Sequence, residues 1–253
     1  MLTAALWGLI QGLTEFLPVS SSGHLVLVPA IFGFDEPSLA ASVMLHLGTL
    51  LAVVAYYRRD LLRLVHLRTD PEARRILMLL AVGTIPAALV GLTLEGPIET
   101  VLSEPWMVAV QLMVSGAILV FALLVARGVR RLAEGRWPDG VVVGLAQAFA
   151  LIPGISRSGM TITAGMAQGF QRSEAARYAF LLSIPAIAGA GLLEGLDLLK
   201  YGGFTWGLLV GMGVAALTGY LAIALLLRAL ARVGLIPFAA YCLVFGAVAY
   251  FLV

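Results

Sequence analysis

Three ionisable side chains of this 253-residue chain lie in two largely apolar runs, away from its charged loops and outside its long apolar spans. Glu15 and His24 belong to the run 11–24, and Arg157 belongs to a second run at 153–161. An ionisable group at membrane depth is energetically expensive, so its presence there indicates a functional site. Together, an acid, an imidazole and a guanidinium provide the groups needed to bind an anion and to transfer a proton.

Both runs carry the signals of a broken helix. Pro18 and Pro153 are expected to end helices, because proline lacks a backbone N–H and restricts the residue before it. Turns rich in serine and glycine follow, and apolar helices are expected to restart near His24 and Thr161. A restarting helix offers unpaired N–H groups and a positive dipole end, and the forked guanidinium of Arg157 adds further donors. This chemistry suits a phosphate ligand.

Each of these residues also has a structural interpretation. Serines at a broken helix often act as caps, an alternative that applies equally to Ser20, Ser22 and Ser158. Glu15 and Arg157 are alternatively a buried structural ion pair. His24 is alternatively a buried histidine whose hydrogen bonds are satisfied within the protein.

Three other polar residues bear on the same region. Gln11 and Glu15 are four positions apart, so they share one helical face. His46 lies in mid-span without polar neighbours in sequence, which favours packing or a helix–helix hydrogen bond over catalysis. Gln147 is consistent with a place behind the cavity and equally with a bridge between helices.

The composition is that of a polytopic helical membrane protein. Apolar residues make up 61% of the chain and charged residues 12%, where a soluble domain has roughly a quarter charged residues. The mean hydropathy of +1.01 and the 28 glycines and 11 prolines within apolar sequence agree. This excludes a disordered chain, a nucleic-acid binder and an ordinary cytosolic enzyme. A single cysteine, Cys242, excludes a disulfide framework and a cysteine-based metal cluster.

Six apolar runs are long enough to cross a bilayer, at 40–57, 76–94, 106–126, 178–196, 205–227 and 235–253. Arginines concentrate in the loops 58–75, 127–137 and 228–232, which are therefore predicted to be cytoplasmic. The loops 95–105 and 197–204 have few or no basic residues and are predicted to face outward. Six crossings place both chain termini outside.

Two stretches remain, 1–34 and 138–171, and the orientation requires each to return to its starting side. We predict that both are re-entrant helical hairpins, buried within the protein. With a shift of 136 positions, identical residues coincide at Gly8, Leu9, Gln11, Ser20, Ser22, Gly23 and Phe34 of the first stretch. Three spans follow each hairpin, so the chain is predicted to be one membrane domain, 1–253, with an inverted repeat of 1–126 and 138–253.

The two polar runs resemble the signature motifs of the bacterial undecaprenyl-pyrophosphate phosphatase family, the bacitracin-resistance type. The first run resembles the motif (Glu/Gln)-x-x-x-Glu followed by Phe-Leu-Pro-Val-Ser-Ser-(Thr/Ser)-Gly-His. The second resembles Pro-Gly-x-Ser-Arg-Ser-x-x-Thr and agrees at every fixed position. The likeness covers the whole chain. Gln11 stands where many members have glutamate, which leaves Glu15 as the only acid of the motif.

This resemblance implies hydrolysis of the 55-carbon polyprenyl pyrophosphate to the monophosphate, on the outer side of the bacterial cytoplasmic membrane. It implies dependence on a divalent cation, Mg²⁺ or Ca²⁺, and a role in recycling the lipid carrier for cell-wall synthesis. Expected partners are the lipid substrate, membrane lipids and a second copy of the chain in a homodimer, without nucleic acid. The family's fold, an inverted repeat with two re-entrant hairpins, agrees with the topology predicted above.

These expectations assign a role to each candidate residue. Glu15 is the candidate metal ligand, and Arg157 holds the phosphoryl group. Ser21 as nucleophile with His24 as acid and base is preferred over direct attack by His24 or by water. Residues expected to bind substrate are Gln11, Ser20, Ser22, Gly154, Ser156, Ser158 and Thr161. The alternative function is a transporter or flippase of a polyprenyl phosphate lipid, which needs no pair of nucleophile and base.

Overall fold

The computed structural model describes residues 1–125, 128–201 and 205–253. Within these ranges the α-helices are α1 (Leu2–Phe16), α2 (Ser21–Phe32), α3 (Leu39–Tyr56), α4 (Arg58–Arg63), α5 (Pro71–Leu102), α6 (Pro105–Val125), α7 (Trp137–Phe149), α8 (Arg157–Ala167), α9 (Arg172–Tyr201), α10 (Trp206–Arg232) and α11 (Ile236–Leu252). The described part of the chain forms no β-sheet, so the fold is all-helical as predicted.

A helix lies at each of the six predicted spans. In the described residues, five of these helices are long and apolar enough to cross a membrane, namely α3, α5, α6, α9 and α10. The sixth, α11, is apolar but has only 17 residues. These lengths and compositions are those of a multi-pass membrane protein.

Two predicted outward loops are largely helical. The segment 95–105 was expected to be a loop, but α5 continues through it as far as Leu102. Similarly, α9 reaches Tyr201 within the predicted loop 197–204, of which 202–204 lie outside the described residues. Glutamate interrupts an apolar run without interrupting a helix, because it is a good helix former. The change in hydropathy therefore marks the end of the apolar run and not the end of the helix.

Each of the two hairpins packs against a long helix from the other half of the chain. Helix α1 crosses α10 so closely at Gly8 that an added Cβ would collide with the carbonyl oxygen of Gly211. Helix α7 crosses α5 at Gly144, where an added Cβ would lie 2.6 Å from the carbonyl oxygen of Gly83. Gly8 and Gly144 are 136 positions apart, the shift of the predicted repeat, and both permit a close helix crossing.

A charged cluster joins α4, α5 and α9 at the end of the molecule that bears the loop 58–75. The guanidinium of Arg177 pairs with the carboxylate of Asp60 and lies 3.4 Å from that of Glu72. Asp70 caps α5 by accepting from the backbone N–H groups of Glu72 and Ala73. These bonds, that of Ala73 foremost, hold the pKa of Asp70 below its ordinary value. The candidate site lies elsewhere, at the tips of the two hairpins.

Candidate active site

The structure brings the tips of the two hairpins together. The backbone N–H of Gly154 donates to the hydroxyl of Ser22 at 3.3 Å. In the other direction, the hydroxyl of Ser158 donates to the carbonyl oxygen of Leu17 at 3.1 Å. The two polar runs recognised in the sequence are therefore neighbours in space, although more than 130 residues separate them.

Equivalent serines cap the second helix of each hairpin. The hydroxyl of Ser20 accepts from the N–H of Gly23 at 3.2 Å, and that of Ser156 accepts from the N–H of Gly159 at 3.1 Å. Helices α2 and α8 consequently begin at Ser21 and Arg157, earlier than the predicted restarts. The capping interpretation thus applies to Ser20. Its backbone has a positive φ of 66°, which is unusual for a residue other than glycine.

Glu15 is the centre of the polar cluster at the tips. One carboxylate oxygen accepts from the guanidinium of Arg157, and the other accepts from the hydroxyl of Ser21 at 2.5 Å and from the amide of Gln11 at 3.0 Å. The side chain of Glu15 is buried and that of Arg157 is largely so. A buried ion pair needs such additional hydrogen bonds to offset its desolvation. The ion pair considered from the sequence exists, and it also holds a serine hydroxyl.

His24 faces away from Ser21. Its Nδ1 lies 2.7 Å from the carbonyl oxygen of Ser20, and since a carbonyl only accepts, Nδ1 carries the proton. Its Nε2 accepts from the hydroxyl of Tyr241 at 2.7 Å, and the ring stacks on Phe245 with centroids 5.1 Å apart. The predicted pair of Ser21 and His24 is not formed. Both partners of the ring on α11 are more than 200 residues away in sequence, so local spacing does not show them.

A cavity of about 740 Å³ lies against the cluster. Glu15, Ser21 and Arg157 contribute to its polar wall, and Glu36 and Ser103 lie on its lining near the ends of α3 and α5. Much of the remaining wall is apolar and includes small residues of α5 and α9, among them Ala87, Ala88, Gly91 and Ala190. A cavity with convergent polar groups and an apolar wall fits an anionic head group attached to a hydrocarbon chain.

Only some of the predicted substrate-binding residues reach this cavity. Ser20, Ser22 and Ser156 line it, whereas Gln11, Gly154, Ser158 and Thr161 do not. Gln11 is fully buried behind Glu15, and the hydroxyl of Thr161 donates to the carbonyl oxygen of Arg157 at 2.8 Å. The amide nitrogen of Gln11 and the hydroxyls of Ser158 and Thr161 have partners within the protein, whereas Oε1 of Gln11 has none among the described residues. These hydrogen bonds stabilise the shape of the tips.

Gly154 also has a structural task. Its φ is +84°, and an added Cβ would lie 2.7 Å from the carbonyl oxygen of Val108. Its own carbonyl oxygen accepts from the hydroxyl of Ser115 at 3.0 Å. The turn therefore requires a residue without a side chain, and the expected contact of Gly154 with substrate stays a prediction.

One cavity residue was assigned from the sequence to packing or a helix–helix hydrogen bond, and another was left between two alternatives. His46 lines the cavity, and its Nδ1 bonds the carbonyl oxygen of Ser42 in its own helix at 2.9 Å, so the predicted helix–helix bond is absent from the described contacts. Gln147 lines the cavity as well and is buried. The shift of 136 positions that pairs it with Gln11 is the signal that singles it out.

The cavity fits a cation that arrives with a phosphate ligand better than a permanently held one. In the described residues, no group of three or more histidine, cysteine, aspartate or glutamate side chains is placed to hold a metal ion. Three donors already use most of the acceptor capacity of Glu15. Magnesium typically takes one or two carboxylates and completes its shell with phosphate oxygens and water. The carboxylate of Glu15 has one acceptor position left, which is enough for it to act as the single carboxylate ligand of such a cation.

Comparison with known proteins identifies the family of this chain. The model of the family described as "Bacitracin resistance protein BacA" matches residues 4–248. An undecaprenyl-diphosphatase of Geobacter metallireducens is 44% identical over 97% of this chain and 96% of its own. Undecaprenyl-diphosphatases of Alcanivorax borkumensis and Moorella thermoacetica are 44% and 42% identical, over 96% and 98% of this chain and 95% of their own. Because the match runs through both hairpins and every long helix, the chain belongs to the bacitracin resistance protein family.

Proposed function

We propose that this protein hydrolyses undecaprenyl pyrophosphate to undecaprenyl phosphate and inorganic phosphate. The observation that carries the proposal is the hydroxyl of Ser21, held 2.5 Å from the carboxylate of Glu15 on a cavity that also contains Arg157. A carrier needs groups that bind its cargo but no serine poised on a base, so the cluster favours an enzyme over a flippase. The activity named for the relatives supports the same conclusion.

The geometry supports the following reaction. The Ser21 oxygen attacks the terminal phosphorus while Glu15 accepts its proton, and the anhydride P–O bond breaks to release the lipid monophosphate. Water then hydrolyses the serine phosphate, which frees inorganic phosphate and restores the hydroxyl. Arg157 stabilises the charge on the phosphoryl oxygens during both steps. His24 is a positioning residue here, because it contacts the carbonyl oxygen of Ser20 and not the attacking oxygen.

The charge of the substrate supports a requirement for Mg²⁺ or Ca²⁺. A pyrophosphate carries more negative charge than Arg157, the one arginine on the cavity lining in the described part of the chain, can neutralise, and a divalent cation supplies the remaining positive charge. Glu15 is the residue that would hold the cation, together with oxygens of the substrate. Its carboxylate then serves both Ser21 and the cation, which explains why one acid suffices where Gln11 replaces a second.

The first test is phosphate release from undecaprenyl pyrophosphate by the purified protein in detergent. We expect release to stop when a chelator is added, and Mg²⁺ or Ca²⁺ to restore it, because the cation neutralises the substrate. A protein that binds the lipid but releases no phosphate at any cation concentration would be a carrier. That outcome would refute the proposed hydrolysis.

The proposed topology is six spans and two re-entrant hairpins in an inverted repeat, within the cytoplasmic membrane. The equivalent caps at Ser20 and Ser156 and the equivalent crossings at Gly8 and Gly144 support the repeat. Opening of the cavity on the outer side is supported by Glu36 on its lining, in a connection without basic residues. Such a site serves recycling of the lipid carrier. A homodimer stays a prediction.

Cysteine labelling in intact cells tests this orientation. We expect a membrane-impermeant thiol reagent to label Glu36→Cys, whereas Arg68→Cys reacts only after the membrane is permeabilised, because arginines favour the cytoplasmic side. The unsubstituted chain is the control, since its one cysteine, Cys242, is fully buried. Labelling of position 68 in intact cells would overturn the orientation.

A further inference from the structure

The side-chain amide of Gln147 lies at the cavity and makes no hydrogen bond within the described residues. It lies in the last turn of α7, is 1% exposed, and is among the residues that line the cavity. Neither its Oε1 nor its Nε2 has a hydrogen-bond partner in the described part of the chain. A buried polar group without a partner is destabilising and calls for an explanation. Here two donors and one acceptor are unused on the wall of the candidate active site.

The repeat explains how the amide comes to be unpaired. In the first hairpin Gln11 donates to Glu15, four positions later. In the second hairpin the residue four positions after Gln147 is Leu151, which lines the cavity but has no side-chain acceptor for a hydrogen bond. The amide nitrogen is therefore paired within the protein in the first hairpin and available to a ligand in the second, although Oε1 of Gln11, like that of Gln147, lacks a partner among the described residues. Gln11 and Gln147 therefore have different roles at equivalent positions of the proposed repeat.

We infer that Gln147 is a substrate-binding residue that donates a hydrogen bond from Nε2 to a phosphate group of the pyrophosphate. The inference rests on the proposed function and adds a residue to its site. Phosphate oxygens are the acceptors that this substrate brings in quantity, and the apolar tail offers none. Oε1 remains free to accept from a protonated phosphate oxygen or from water. The amide thus complements the charge of Arg157 with a neutral donor.

Binding of inorganic pyrophosphate to the purified full-length protein tests this role. The measurement is the rise in melting temperature with pyrophosphate concentration, in the presence of Mg²⁺. We expect Gln147→Leu to need about 10- to 100-fold more pyrophosphate for half of the shift, as for the loss of one hydrogen bond to a charged group. Without ligand its melting temperature should equal or exceed that of the wild type, since leucine leaves no unpaired amide. In hydrolysis, KM should rise more than kcat falls.

Thr163→Val is the matched control. Thr163 is buried and its hydroxyl also lacks a partner among the described residues, but it does not line the cavity. Its replacement removes a buried unpaired group without touching the proposed contact, so half-saturation by pyrophosphate should stay within about twofold of the wild type. Gln147→Glu is the second variant. It keeps the shape, and its negative charge should weaken pyrophosphate binding more than leucine does.

The outcomes separate this inference from the proposed function. An unchanged pyrophosphate affinity in Gln147→Leu would show that water alone occupies the amide and would overturn the inference, even if the wild type hydrolyses the lipid. Failure of both position-147 variants to fold would overturn it too, because the glutamine would then be structural. If the wild type binds pyrophosphate through Gln147 but releases no phosphate from the lipid, the proposed hydrolysis fails and the binding role stands.

Discussion

Phosphate release by Ser21→Ala is expected to fall by at least about 10³-fold, because the variant lacks the oxygen that attacks phosphorus. The loss should appear in kcat, since the hydroxyl contributes little to ground-state binding. Single-turnover phosphate release in detergent, at saturating cation, measures it. Ser183→Ala is the matched control and should keep wild-type turnover. Ser183 is buried and donates to the carbonyl oxygen of Phe180 in its own helix, and it is not part of the cavity lining.

The magnitude of the loss decides between serine attack and its alternatives. A variant that retains more than about a tenth of wild-type turnover loses less than about 1.4 kcal/mol of barrier lowering, too little for a missing nucleophile. Direct attack by water would then replace Ser21 in the mechanism. Trapping a serine phosphate on the wild type by acid quenching would give independent support for covalent catalysis.

Arg157→Lys is expected to lower turnover by at least about 100-fold. Lysine keeps the positive charge but loses the planar fork that contacts a carboxylate and a phosphoryl group together. The comparison is kcat for phosphate release, with Arg130→Lys as control. Arg130 also pairs with a carboxylate, that of Asp139 at 2.7 Å, but lies outside the cavity lining. Its replacement should alter stability more than turnover.

A wild-type rate in Arg157→Lys would reverse the assignment. Arg157 would then act only as the counter-ion of Glu15, which is the structural alternative recognised in the sequence. Arg157→Ala distinguishes the two cases further, since it leaves the buried carboxylate without its partner. A counter-ion role predicts loss of folded protein in that variant, because an unpaired buried charge is strongly destabilising.

The helices were predictable because the membrane simplifies the sequence signal. Any segment that crosses lipid must satisfy its backbone internally and present apolar side chains, so long apolar runs mark helices directly. The ends of α5 and α9 were not predictable by the same rule. Hydropathy reports where lipid ends, whereas the backbone hydrogen bonds that define a helix continue into water.

The candidate site was predictable where its residues are joined by local rules and not where they depend on distant partners. Prolines and serines in the sequence located both tips, and the predicted repeat led us to expect Glu15 and Arg157 near each other, as the structure shows them. The orientation of His24 depends on Tyr241, and local spacing carries no information about a contact across 217 positions. The availability of Gln147 depends on Leu151, so it follows from a comparison of the two hairpins and not from either alone.

The positive φ of Ser20 has a consequence for the evolution of stability. A serine in a sparsely populated backbone region costs on the order of 1–3 kcal/mol, and here it immediately precedes Ser21. The hydrogen bonds of Gly23 and His24 to Ser20 hold this conformation in place. The turn is therefore strained, and replacement of Ser20 by glycine would remove the backbone strain. Selection for a more robust fold and selection for a fixed attack geometry act on this residue in opposite directions.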